Sequence, residues 1–277
     1  MAGFIDALLH QSFMQYALLG GLLASICCGL VGSYVVVKRI SYLAGGISHT
    51  ILGGMGIAYF FGSHPINGAL VAALAAALLI GWINLQLKQH EDTLIGALWS
   101  IGMAVGVIFV AKTPGYSVDL MSYLFGNILM ISPQDLWLMA ALDAIVILLV
   151  WLFREQFLAV CFDEEFARLR GIPVTFYYLL LLCMVAVTVV VLIQVVGLIL
   201  VIALLTLPAA IASQWVRTLS KIMLLATLLG GLFTLGGLAI SYEPDLPSGA
   251  TIILLAGLSY IASLLINQLR RVKRKTP

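Results

Sequence analysis

The stretch VTFYYLLLLCMVAVTVVVLIQVVGLILVIALLTLPAAIA, residues 174–212, contains no charged side chain. Crossing a ~30 Å hydrocarbon layer takes about 20 apolar residues, so this run is too long for one span. Gln194 and Gly197 are its plausible punctuation, and Pro208 marks a kink further on. It therefore reads as two segments, about 174–193 and 196–216, one of which could be short or re-entrant. Outward from it, further hydrophobic segments fall at about 13–37, 43–62, 65–87, 93–111, 134–153, 219–241 and 248–269. Backbone groups in lipid must bond internally, and no alternating strand pattern occurs, so the spans are helices. The expectation is an all-α polytopic transmembrane bundle of about eight to nine spans, forming one domain over residues 1–277. A composition of 62% hydrophobic and 9% charged residues, with mean hydropathy +1.13, excludes a soluble globular domain. The run from Phe13 has no basic region before it and is too long for a signal-peptide core, so it is expected to be retained as a span.

Lysine and arginine set the orientation. With the N-terminus outside and nine crossings, Lys38, Arg39, Lys88, Arg154, Arg168, Arg170, Arg217, Lys221, Arg270, Arg271, Lys273, Arg274 and Lys275 fall inside, and of the 14 basic residues only Lys112 falls outside. Asp6, Asp119, Asp135, Glu243 and Asp245 then line the external side, where an acidic mouth would concentrate cations. Helix capping is the simpler role for Asp119 and Asp135. The basic tail, 270–277, follows a span directly and reads as a topology anchor at anionic headgroups rather than a nucleic-acid patch.

Between two of the apolar runs lies Asp163-Glu164-Glu165-Phe166-Ala167-Arg168-Leu169-Arg170, on the cytoplasmic side by the basic-residue count. Phe162, Phe166 and Leu169 stand at i, i+4, i+7 and would share a helical face, with the charges mostly opposite. The segment is either a solvated loop or a contact surface.

Ionisable groups inside a membrane are costly and so are candidates for function. His49 sits among glycines in Gly45-Gly46-Ile47-Ser48-His49-Thr50, and neutral imidazole is a ligand for zinc, manganese or iron. Ser48 offers an oxygen beside it. Asp143, near the middle of the fifth segment, could take a metal or a proton, or pair across a helix interface. Cys27, Cys28, Cys161 and Cys183 form no disulfide framework or metal signature and read as packing residues. Gly53, Gly54, Gly56, Gly102, Gly106, Gly230, Gly231, Gly236 and Gly237 make small-residue faces suited to close helix approach. There is no phosphate-cradle motif, no Gly-x-Ser-x-Gly and no His-Glu-x-x-His, so this chain is not expected to be an enzyme or to hydrolyse ATP itself.

Five ordered stretches resemble the permease subunits of the metal-ion ABC importers, the ABC-3 family. They are Ser41–His49, Asp119–Leu129 with Asp135 beyond it, Asp163–Pro173, Val195–Ala210, and Asp245–Ala250 with Ile252 and Ile253. The resemblance implies a permease that forms a pore as two copies in the prokaryotic plasma (inner) membrane, with a cytoplasmic C-terminus. It implies a coupling segment, about 161–173, on which a cytoplasmic ATP-binding subunit docks. Phe162, Phe166 and Leu169 would seat in a groove of that subunit, Asp163 and Gly171 would bound the segment, and Glu164, Glu165, Arg168 and Arg170 would ion-pair at the rim. An external metal-binding protein would deliver the ion to the mouth carrying Asp119, Asp135, Glu243 and Asp245. His49 would be a transient pathway ligand for a divalent transition metal, the transported substrate, with no cofactor held by the chain. Softer ligands favour zinc over manganese or iron. Where the family has an acid three positions before the motif His, this chain has Gly46, which leaves the imidazole with only hydroxyl or carbonyl oxygens. The other readings are a siderophore or cobalamin permease, a proton-coupled secondary transporter using His49 and Asp143, and an intramembrane enzyme.

Overall fold

The computed structural model describes residues 2–86, 91–113, 126 and 128–275. Among them every regular element is helical: α1 (Ala2–His10), α2 (Ser12–Lys38), α3 (Ser41–Phe60), α4 (Pro65–Gln86), α5 (Glu91–Lys112), a 3-10 turn (Ile128–Met130), α6 (Pro133–Leu152), α7 (Arg154–Phe162), α8 (Glu164–Leu169), α9 (Val174–Trp215), α10 (Leu219–Tyr242) and α11 (Ser248–Lys275). Helix α1 was not anticipated; it packs on α2 and sets Phe4 edge-on to Tyr242 at 5.9 Å.

Helices α2 and α9 form the centre. Cys27, Cys28, Val31, Tyr34, Leu181, Val185 and Leu192 are fully enclosed, as a helix that is apolar on all sides must be. Seven helical stretches among the described residues are long and apolar enough to cross a membrane, fewer than the eight to nine expected. Two of the expected segments are not among them. Ser48, His49, Thr50 and the glycines lower the hydropathy of α3, although at 20 residues it is as long as α6 and most of it is buried. The other, Val201–Trp215, is a short apolar helix within α9.

Gly197, with φ of 75° and ψ of 172°, breaks α9. This is the left-handed side of backbone space, open to glycine at little cost. A continuous helix over Val174–Trp215 would be about 63 Å long, yet both of its ends lie at one end of the bundle. Val174 follows α8 after a short turn, while Trp215 leads directly into α10, whose Ser220 accepts a hydrogen bond from Arg154 at 3.0 Å. The chain therefore reverses at Gly197, inside the uncharged run.

Other contacts sort the remaining ends. Lys38, at the end of α2, donates to the Val160 carbonyl at 2.8 Å and pairs with Glu164. Trp215 donates to Ser263 at 2.9 Å and carries the Arg270 guanidinium 4.6 Å above its ring. Lys38, Arg154, the 163–170 segment and Arg270 thus share one end. Near the start of α2, Gly20 lies against Ile131 and Leu136, and Gly21 against Thr234 of α10. That places Asp135 with the Tyr242–Asp245 turn at the opposite end. Helices α3 and α5 run side by side in the same direction at very close range: a Cβ on Gly53 would stand 2.8 Å from the Gly102 carbonyl oxygen, and one on Gly56 2.6 Å from that of Gly106.

Candidate functional site

His49 lies two turns into α3, 8% exposed. Its ring stacks face to face on Trp99 of α5, with centroids 4.0 Å apart and planes 4° from parallel. Nδ1 is buried without a hydrogen-bond partner. Ser48 is fully buried and its hydroxyl donates to the Gly45 carbonyl at 2.8 Å; Thr50 donates to that of Gly46 at 2.7 Å. Both hydroxyls have spent their hydrogens on their own helix, so each can offer a neighbour only an oxygen lone pair. Among the described residues no three His, Cys, Asp or Glu side chains gather where they could hold a metal ion.

No acid precedes His49 on its face. A Cβ on Gly46 would meet Ile95 Cγ2 at 2.4 Å, so a larger residue there would force α5 away. Gly45, four positions before His49, is glycine as well, so neither position that shares the His49 face carries a carboxylate. A Cβ on Gly45 would meet only Ile202 Cδ1, at 3.2 Å.

Asp143 is not brought to His49. It is 2% exposed on α6, where its Oδ1 accepts a hydrogen bond from the Cys27 thiol of α2 at 2.8 Å; its Oδ2 is buried without a partner. This arrangement is an interhelical clasp, and it gives Cys27 a polar contact that the packing reading omitted. Asp143→Asn keeps the acceptor and the shape, and is expected to preserve assembly and uptake in vesicle transport assays. A relay that depended on a titrating carboxyl would lose transport in the same assay.

The charged segment is built differently from a continuous amphipathic helix. Asp163 has extended φ and ψ of −151° and 98°, ending α7 and capping α8, where its carboxylate accepts from the Phe166 N–H at 2.9 Å. Phe162 thus belongs to the helix before Phe166 and Leu169, not to the same one. The break nonetheless turns Phe162 and Phe166 into one groove of about 320 Å³ with Leu158, Ala159 and Ile172, while Leu169 points away and is 88% exposed. Arg170 places its guanidinium 4.6 Å over the Phe166 ring, and Gly171 leaves the segment with φ of 75°. Glu165 and Arg168 are exposed. Glu164, expected at an intermolecular rim, is held within the chain by Lys38. Beneath the segment, Phe157 is fully buried and meets Tyr34 of α2 at 5.6 Å and Tyr177 of α9 at 6.1 Å, so α7 is keyed into the centre of the bundle. Burial pushes the Cys161 thiol beside it up to about 12, with Lys38 pulling in the opposite direction, so this cysteine is inert near neutrality.

At the other end, Asp135 forms a capping box: its carboxylate accepts from the Ser132 N–H and hydroxyl at 3.1 and 2.7 Å, and its own N–H donates to Ser132 Oγ at 3.2 Å. The capping role holds for it. Glu243 and Asp245 are exposed in the turn after α10, Asp245 with φ of 53°. Asp119 lies outside the described residues.

The family model described as ABC 3 transport family matches residues 10–267. The chain belongs to that family. A protein described as an uncharacterized membrane protein of Synechocystis is 47% identical over 92% of this chain and 91% of its own length. The manganese transport system membrane protein MntC of Listeria monocytogenes is 37% identical, covering 95% and 93%. A solved structure of PsaBC from Streptococcus pneumoniae in complex with Fab superimposes with a TM-score of 0.86 at 34% identity, over 95% of this chain and 94% of that one.

Proposed function

We propose that this chain is the membrane-spanning permease of an ATP-driven importer for a divalent transition metal ion, manganese first, with zinc and iron after it. The observation that carries the reading is the α7–α8 segment. It presents Phe162, Phe166 and Leu169 to solvent at the basic end of the bundle while Lys38–Glu164 and Phe157 tie it to α2 and α9. Large apolar side chains beside charges, on a segment anchored so firmly, suit a docked partner better than a free loop. The partner is a cytoplasmic ATP-binding subunit, since this sequence has no nucleotide motif of its own. A force on α8 reaches α2 through Lys38; the chain then turns at Arg39, with φ of 61°, directly into α3 and His49.

Two copies of the chain form the pore in the inner membrane, the basic end is cytoplasmic by the positive-inside rule, and an external binding protein delivers the ion to the acidic end. Manganese replaces zinc at the head of the order for two reasons. The Listeria relative is named for manganese, and one imidazole supplemented by hydroxyl or carbonyl oxygens is a harder donor set than zinc sites favour. The test is uptake by proteoliposomes holding permease and ATPase, supplied with binding protein loaded with Mn2+ or Zn2+. ATP-dependent Mn2+ accumulation faster than that of Zn2+ is expected. Faster Zn2+ uptake would return the order to zinc, and uptake driven by a proton gradient without ATPase would sink the importer reading.

A further inference from the structure

We propose that Trp99 is a positioning residue for the transported ion: its indole face fixes the plane of the His49 imidazole and so aims the ring nitrogen that meets the metal. This rests on the assignment of His49 to the pathway.

Metal-ligating imidazoles are ordinarily oriented by a hydrogen bond from the nitrogen that does not bind. His49 Nδ1 is buried with no such partner. What holds the ring instead is the stack, 4.0 Å between centroids and 4° from parallel. Trp99 is itself fixed, because its Nε1–H donates to Met103 Sδ one turn further along α5 at 3.1 Å. The two helices cannot easily slide past one another, since Gly53 and Gly56 of α3 lie directly against the Gly102 and Gly106 backbone of α5. Stack, thioether contact and glycine seam together form a rigid mount for a side chain that has no polar anchor at Nδ1.

The mount is compatible with ligation. An imidazole binds metal in the ring plane, whereas Trp99 covers a ring face, so the indole does not compete for the lone pair. A metal-bound imidazole is electron-poor, and the electron-rich face of an indole favours that form over the free ring. Trp99 thereby both aims the ligand and stabilises its occupied state. Because no carboxylate stands beside His49, this is where the second span can raise its hold on an ion without a charge that would trap it.

The experiment uses the purified permease–ATPase complex titrated with MnCl2, following bound metal by equilibrium dialysis and intrinsic tryptophan fluorescence in parallel. Wild type is expected to show saturable quenching. Trp99→Leu, which keeps bulk but removes the ring face, is expected to raise the half-saturating Mn2+ concentration about fivefold and to remove the quenched component. Trp99→Phe, which restores a face, is expected to return the binding midpoint close to wild type. Met103→Leu, which frees Nε1, should shift the midpoint in the same direction as Trp99→Leu by less, and stands in if Trp99→Leu fails to assemble. Equal midpoints for wild type, Trp99→Leu and Met103→Leu, with His49→Ala still weakening binding, would overturn the role of Trp99 and leave His49 in place. Unchanged binding in His49→Ala removes the pathway assignment and this inference with it.

Discussion

Phe166→Glu is expected to bring ATP-coupled uptake down to background while the permease still folds. Phe166 is 47% exposed and contributes little to the core, so its replacement should cost the fold little. The backbone bond that caps α8, from the Phe166 N–H to the Asp163 carboxylate, does not involve the side chain and survives the change. A glutamate there also sits beneath Arg170, now 4.6 Å above the Phe166 ring, which gives it a partner on the chain's own surface. The loss falls on the interface. Carrying a carboxylate into an apolar seat costs several kcal/mol, and even about 3 kcal/mol is on the order of a hundredfold in affinity. Co-purification of the ATPase and its stimulation by metal-loaded binding protein both report the effect. Phe166→Leu, similar in apolar character, should retain most of both. Full stimulation of ATP hydrolysis in the glutamate variant would show that the ATPase docks elsewhere.

The order of the helices was legible because hydropathy is a local property. Segments expected at 13–37, 65–87, 134–153 and 219–241 lie within one or two residues of α2, α4, α6 and α10. The reversal at Gly197 was legible as well, because an uncharged run too long for one crossing has to turn somewhere and glycine was among the few residues that permit it. Hydropathy gave a poorer count of spans. The segment expected at 43–62 forms α3, but its polar centre, enclosed against α4 and α5, leaves it less apolar than the seven helices fit to cross a membrane. The helical face drawn through Phe162, Phe166 and Leu169 failed for a local reason: Asp163 is a better helix cap than helix interior, and a cap restarts the helical phase. Contacts between remote segments left no trace in the sequence. Cys27 and Asp143 are 116 residues apart, Lys38 and Glu164 126, and nothing in either neighbourhood announces the other. Trp99 reads as one more aromatic residue in an apolar span until α3 and α5 are set side by side.

His49→Ala is expected to abolish most metal uptake without disturbing the docked ATPase. His49 is held by the Trp99 stack with no hydrogen bond at Nδ1, and Ser48 and Thr50 have already committed their hydrogens to carbonyls of α3. Removing the imidazole leaves an ion passing this level with oxygen lone pairs alone. Dehydrating a divalent cation against so few donors is the step that then lacks compensation. A loss of uptake on the order of a hundredfold corresponds to about 2.7 kcal/mol of barrier, a modest share of what one nitrogen ligand supplies. The change also removes a buried ring from beside Trp99, so stability must be measured separately. His49→Gln, which fills more of the space and carries an amide oxygen, distinguishes packing from ligation: it should recover the melting temperature more fully than the uptake. If the resting ATPase rate and co-purification stay at wild-type levels while Mn2+ uptake collapses in both variants, His49 acts in the pathway. If uptake follows thermal stability across Ala and Gln, the residue is a packing element of the α3–α5 seam, and the ion crosses this level of the membrane without it.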